Sequence, residues 1–189
     1  MDSPDDKELV QQSVAGDLQA FEQLVYRYQD RLTHSLEHAL GSREDALDAA
    51  QQAFISAWRN LSGFRQDSAF YSWLYRIAMN AAISARRRQK ISTTPIDRPD
   101  SPASVQAEDQ RPDADPSYQL QARERVQLVR SELLNVPEEF RQPLVLKEID
   151  GMSYEQIADV LGIPVGTVRS RIFRARKELT ERLQRRSEE

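Results

Sequence analysis

Ser153–Arg176, SYEQIADVLGIPVGTVRSRIFRAR, reads as two short helices joined by a tight turn. Ser153 and Gln156 have capping-box spacing, so the first helix starts at Ser153. Ile157, Ala158 and Leu161 then share one face at helical spacing. Gly162 follows Leu161, where a helix end favours a residue that tolerates a left-handed backbone. Pro164 suits the opening of the next helix rather than its interior. That helix keeps Val165, Val168, Ile172 and Leu179 inward. Its other faces carry Thr167, Arg169, Ser170, Arg171, Arg174, Arg176 and Lys177. A helix-turn-helix with a basic second helix is the arrangement that lies in a DNA major groove.

A helical hairpin alone is a weak signal, because structural hairpins share it, and a basic helix at a chain end can be only a solvated face. Charge sharpens the reading. Residues 169–189 hold eight Arg or Lys against four Glu, a net of +4 in a chain whose net charge is −4. Arg can bridge phosphates or the O6 and N7 of guanine, while Thr167 and Ser170 can reach phosphates or base edges.

At 189 residues the chain is one domain or two small ones. Six glycines and no alternating β-branched run point to an all-α fold. The absence of cysteine excludes disulfides and cysteine-based chemistry. No apolar run is long enough to span a bilayer, and MDSPDDKELV is unlike a signal peptide, so a cytoplasmic protein without membrane insertion is expected. Residues 1–50 carry eleven acids and four bases, net −7; residues 58–90 carry seven bases and one acid, net +6. Two basic zones separated by acidic ones suggest two local nucleic-acid contacts.

Helices are expected over Asp6–Ala15, Leu18–Leu40 and Arg43–Leu61. The inner stripe of the third is Ala46, Leu47, Ala50, Phe54, Ala57, Trp58 and Leu61, and Asp45, Asp48, Gln51, Gln52 and Ser56 form its outer face. His34, Glu37 and His38 spell H-x-x-E-H. Zinc chemistry needs a third ligand and an open cleft. These are the only two histidines, so no metal and no cofactor is expected. A link, residues 62–69, leads to a helix that opens on Phe70 and ends in Arg86, Arg87, Arg88, Gln89 and Lys90. Rings interleaved with bases suit single-stranded nucleic acid. Trp73, Leu74, Ile77 and Ala78 are expected in the core, and spacing does not divide the remaining rings between core and surface.

From 91 to about 121 five prolines lie among Ser, Asp and Ala, with six acids against two bases. That composition predicts a flexible linker. It divides a helical domain, 1–90, from a second, 122–189. The second opens with Val126, Val129, Leu133 and Leu134 and continues with a helix from Phe140 to Ile149.

These strings together resemble an extracytoplasmic-function (ECF) sigma factor, a subunit of bacterial transcription initiation in the sigma-70 family, in its sigma-E-like branch. The resemblance rests on DALDAAQQAF (Asp45–Phe54), FRQDSAFYSWLYRIAMNAAISARRR (Phe64–Arg88) and Val136–Leu179, in that order. It implies two small helical domains, sigma region 2 and sigma region 4, and no enzymatic activity. It implies that Asp45, Asp48, Gln51, Gln52 and Phe54 dock on the clamp coiled coil of the largest subunit of core RNA polymerase, with the flap a further contact. Phe64, Arg65, Ser68, Phe70, Tyr75, Arg76, Asn80, Arg86, Arg87 and Arg88 would serve the −10 element, capturing unpaired bases of promoter DNA. Ser153, Tyr154, Gly166, Thr167, Arg169, Ser170, Arg171, Arg174, Arg176 and Lys177 would serve the −35 duplex. The linker would thread toward the RNA channel. An anti-sigma factor is implied as regulator, one held at the membrane in the matching branch, and a small-molecule substrate is not. Gln52 and Ser84 stand where the family often has acids. A stand-alone DNA-binding regulator shares the helix-turn-helix, but the ring-and-base segment Phe64–Lys90 gives it no use. An enzyme has little support, with no glycine-rich phosphate loop.

Overall fold

The computed structural model describes residues 4–92 and 116–188. The flexible-linker expectation falls mostly on residues 93–115, outside the described residues. Eight α-helices are present among the described residues: α1 Asp6–Val14, α2 Leu18–Leu40, α3 Arg43–Asn60, α4 Phe70–Ser92, α5 Pro116–Leu134, α6 Glu138–Glu148, α7 Tyr154–Leu161 and α8 Val165–Glu188. A single 3-10 turn, Leu61–Gly63, follows α3. Helix α5 begins inside the stretch expected as linker. Its opening residue is Pro116, and proline is tolerated at a first helical position, where no backbone donor is required.

The caps follow the sequence. Asp5, Asp17 and Ser42 accept backbone N–H groups at the starts of α1, α2 and α3. Gly41 ends α2 with φ 79°, and a Cβ there would meet Leu134 Cδ2 at 2.8 Å. The left-handed backbone favours glycine here, and a Cβ would in addition displace the tip of the Leu134 side chain.

Helices α1 to α4 form an N-terminal lobe in which α2 packs on α1 and α3, and α3 on α4. The inner seam of α3 is alanine: Ala46, Ala49, Ala50, Ala53 and Ala57 are all buried. Small side chains let the axes approach closely, which pushes bulkier neighbours to the seam's edge. Leu47 is therefore 47% exposed and Trp58 37% exposed, against the expectation of an inner position. Trp58 lies against Phe21, with ring centroids 5.0 Å apart. Helices α5 to α8 form the C-terminal lobe, centred on Leu144, Val145, Leu146, Ile157, Val168, Ile172 and Ala175. Val126 and Val129 on α5 are exposed.

The two lobes are packed together: α4 meets α7, and α2 meets both α5 and α6. Arg141 of α6 is buried and donates to the carbonyls of Ala39, at 3.0 Å, and Leu134, at 2.7 Å. Arg130 of α5 lies 2.6 Å from the buried Glu37 carboxylate, which Arg43 also approaches at 3.6 Å. Glu37, the middle residue of the H-x-x-E-H string, is thus taken up by two cations.

His38 Nδ1 lies 2.8 Å from the His34 carbonyl, and the two rings meet edge to face. Burial, more than the nearby His34 and Arg130, lowers the His38 pKa below its ordinary 6.5. The unfolded chain then takes up this proton first as pH falls. The histidine's contribution to stability is complete above pH 6.5 and is lost below it. His38→Gln should flatten the loss of urea resistance between about pH 7.5 and about pH 5.5. An unchanged slope would assign that limb to other groups.

Candidate nucleic-acid interface

The helix-turn-helix forms as its residues predict. Ser153 Oγ accepts from the Gln156 N–H at 3.2 Å and Gln156 Oε1 from the Ser153 N–H at 2.8 Å, so the capping box is complete. Gly162 takes the left-handed conformation, φ 65°. The Pro164 carbonyl accepts the N–H groups of Thr167 and Val168 and so starts α8. Val168, Ile172 and Ala175 face inward, and Arg169, Ser170, Arg174, Arg176 and Lys177 stand exposed on the other side. Gly166 is exposed beside them, with open space where a Cβ would be.

The cations on α8 are held in place by the C-terminal lobe itself. Arg176 binds Glu148 through Nε at 3.1 Å and Nη2 at 2.5 Å, and this bond raises its pKa. Arg171, half-buried, lies 3.4 Å from Glu139. Arg169 stands over the Tyr154 ring and Arg174 over Phe140, at 5.5 and 5.9 Å. Rings and carboxylates at the helix edge limit side-chain freedom before any ligand arrives. Phe173, 69% exposed among these cations, is an aromatic that the sequence reading passes over. Its mark in the sequence is an apolar residue directly after the buried Ile172, off the inward stripe.

The second basic zone is less open. Phe64 packs against Trp73 at 4.9 Å and Phe70 at 5.8 Å. Phe64 and Trp73 are half-exposed, so Trp73, expected in the core, packs against it only in part. Between the 3-10 turn and α4, Gln66 adopts φ 57°, a left-handed conformation uncommon outside glycine. The reversal leaves Arg65 exposed and Ser68 half-buried. Phe70 and Tyr75, expected to contact DNA, are 2% and 0% exposed. Stacking a base on either would require dismantling the core, so both are structural here. Asn80, Arg87 and Arg88 are exposed, and Arg76 and Arg86 are half-buried.

On α3, Asp48, Gln51 and Gln52 are exposed, Asp45 is half-buried, and Phe54 is turned partly into the core. Exposed Leu47 and Ile55 share this surface. Apolar positions ringed by polar ones are the anatomy of a docking surface.

Asp150, in the α6–α7 turn, has a side chain 0% exposed. Its carboxylate accepts from Ser35 Oγ at 2.5 Å, Tyr71 Oη at 2.7 Å and Arg31 Nε at 3.3 Å. Its carbonyl accepts from Arg31 Nη2 at 2.7 Å. Every one of these donors comes from the other lobe. Burial, and then the charge of Asp150, raise the Tyr71 pKa far above its ordinary value, so this hydroxyl keeps its proton and donates it. In the sequence Asp150-Gly151 is only a turn signal.

Two family models match: Sigma-70 region 2 over residues 24–91 and Sigma-70, region 4 over residues 127–179. The RNA polymerase sigma-H factor of Pseudomonas aeruginosa is 40% identical over 191 residues, covering 95% of this chain and 94% of that protein. The ECF RNA polymerase sigma-E factor of Escherichia coli K12 is 39% identical over 182 residues, with the same coverage. CnrH, solved in complex with the cytosolic domain of CnrY, superposes with a TM-score of 0.66 at 29% identity, covering 93% of this chain and 95% of CnrH. A fold of the same kind is seen in the sigma factor RpoE solved with the anti-sigma factor NepR from Bartonella quintana, with a TM-score of 0.69 at 23% identity over 88% of this chain and 98% of that one. With two sigma-70 regions in order and such relatives along almost its whole length, the chain belongs to the ECF sigma factors of the sigma-70 family.

Proposed function

We propose that this chain directs core RNA polymerase to particular promoters and helps open them, without bond chemistry of its own. The observation that carries the reading is the capped helix-turn-helix whose second helix presents exposed cations, in a chain 40% identical over 95% of its length to a polymerase sigma factor. Residues 122–189 read the −35 duplex, with α8 in the major groove. Residues 1–90 dock on the polymerase through α3 and hold the opened −10 strand. Phe64 and Trp73 supply ring surface there, and Arg65, Asn80, Arg87 and Arg88 stand near the backbone. Removing a base from the stack costs a few kcal/mol, which ring contacts must offset. Two modest contacts multiply through effective concentration when residues 91–121 join them on one machine. An anti-sigma protein, of the kind seen bound to relatives, is the fitting regulator.

Run-off transcription with core polymerase on a promoter library tests the reading. Initiation should require both elements. Arg171→Ala should weaken holoenzyme binding by about 1–3 kcal/mol, with a cost that depends on the −35 bases. A uniform loss across sequences would demote Arg171 to a phosphate contact.

A further inference from the structure

The lobes meet across the −10 surface, and the contact is built from charge. We propose that the free chain is self-inhibited by a latch, in which Asp150 locks the C-terminal lobe onto α2 and α4 while acids of that lobe occupy the cations meant for promoter DNA. This deepens the proposed function, resting on its assignment of α4 to the −10 strand.

Two observations beyond the Asp150 node support the occlusion. Arg76 of α4 lies 3.8 Å from Asp159 of α7. Arg86 of α4, which donates to the Leu40 carbonyl of its own lobe at 2.8 Å, lies 3.7 Å from Glu138 of α6. Each carboxylate takes up a guanidinium that could otherwise pair with a phosphate oxygen. Both pairs are substantially exposed, so they contribute little to holding the lobes. The holding falls to buried groups: Arg141 on the Ala39 carbonyl, Arg130 on Glu37, and Asp150, whose three side-chain donors all disappear from reach when the lobes part. Burying its carboxylate costs several kcal/mol, which those hydrogen bonds largely offset. The net is a latch of modest strength, one that a competing partner can open. The face of α3 bearing Asp48, Gln51 and Gln52 stays exposed in the closed chain. Polymerase can therefore dock first, and the lobes separate afterwards.

The chain has no cysteine, so Glu22→Cys and Thr180→Cys place a spin-label pair, one on each lobe. The native full chain should give a single narrow label-distance distribution, and Asp150→Asn a broad one. Losing charge-assisted hydrogen bonds should move the equilibrium roughly ten- to hundredfold toward open chains. Tyr71→Phe removes a donor from the other lobe and should shift it the same way, which guards against local misfolding of the Asp150 turn. Affinity for a single-stranded −10 oligonucleotide, without polymerase, should rise by about tenfold or more in step with opening. The native narrow distribution in both variants, or a broad one in the native chain, overturns the latch. Opening without gain in oligonucleotide affinity overturns its inhibitory role. Complex formation with core polymerase, measured separately, reports on the proposed function itself.

Discussion

Arg141→Met should destabilise the folded chain by about 3–5 kcal/mol. Arg141 is 8% exposed, and its guanidinium answers the carbonyls of Ala39, Leu134 and, at 3.4 Å, Val136. A buried acceptor left without a donor costs about 1–3 kcal/mol. Methionine keeps much of the packing volume but donates nothing. The carbonyls lie at the C-terminal end of α2, the end of α5 and the turn before α6, so one side chain closes three chain ends. Urea unfolding should show the midpoint falling by about 2 M. Arg141→Lys, with one ammonium in place of a fork, should fall between. A loss below about 1 kcal/mol would mean that water reaches those carbonyls and that the fork is dispensable.

Leu47→Glu should weaken the complex with core polymerase by about 30- to 1000-fold while leaving thermal stability nearly unchanged. The fold already leaves Leu47 47% exposed, so a charge there meets water in the free chain. At the centre of a docked surface it would be desolvated without a partner. Central anchors of interfaces typically carry about 2–4 kcal/mol. Gln52→Ala, at a polar position of the same helix, should cost far less. Undiminished binding of the Leu47→Glu chain would move the docking surface off α3.

Backbone punctuation was the most legible part of the sequence. Ser153, Gln156, Gly162 and Pro164 each act within a few residues, so local chemistry fixed the helix-turn-helix and its cap. Leu24, Leu32, Leu36 and Leu40 recur at helical spacing, and all four are buried along α2. Periodicity gave less where a helix has more than one apolar flank. In α3 alanines made the seam, and Leu47 and Trp58 lay at its edge. In α4 the rings of Phe70 and Tyr75 went inward while Trp73 stayed half-open, a choice set by α2 and the opposing lobe. Long-range polar contacts were not legible at all. Asp150 and Ser35 are separated by 115 positions, and nothing local marks either as a partner. Arg141 reads as one more charge in an exposed helix start, yet it is among the most buried cations described.

Promoter-directed initiation by the purified chain and core polymerase, without an inhibitor, is the most direct measurement. Both the native chain and Asp150→Asn should form the complex, and transcripts should appear only from templates that carry matched −35 and −10 elements. If neither chain joins the polymerase, or if initiation ignores both elements, the assignment of the two lobes to paired and opened DNA is contradicted.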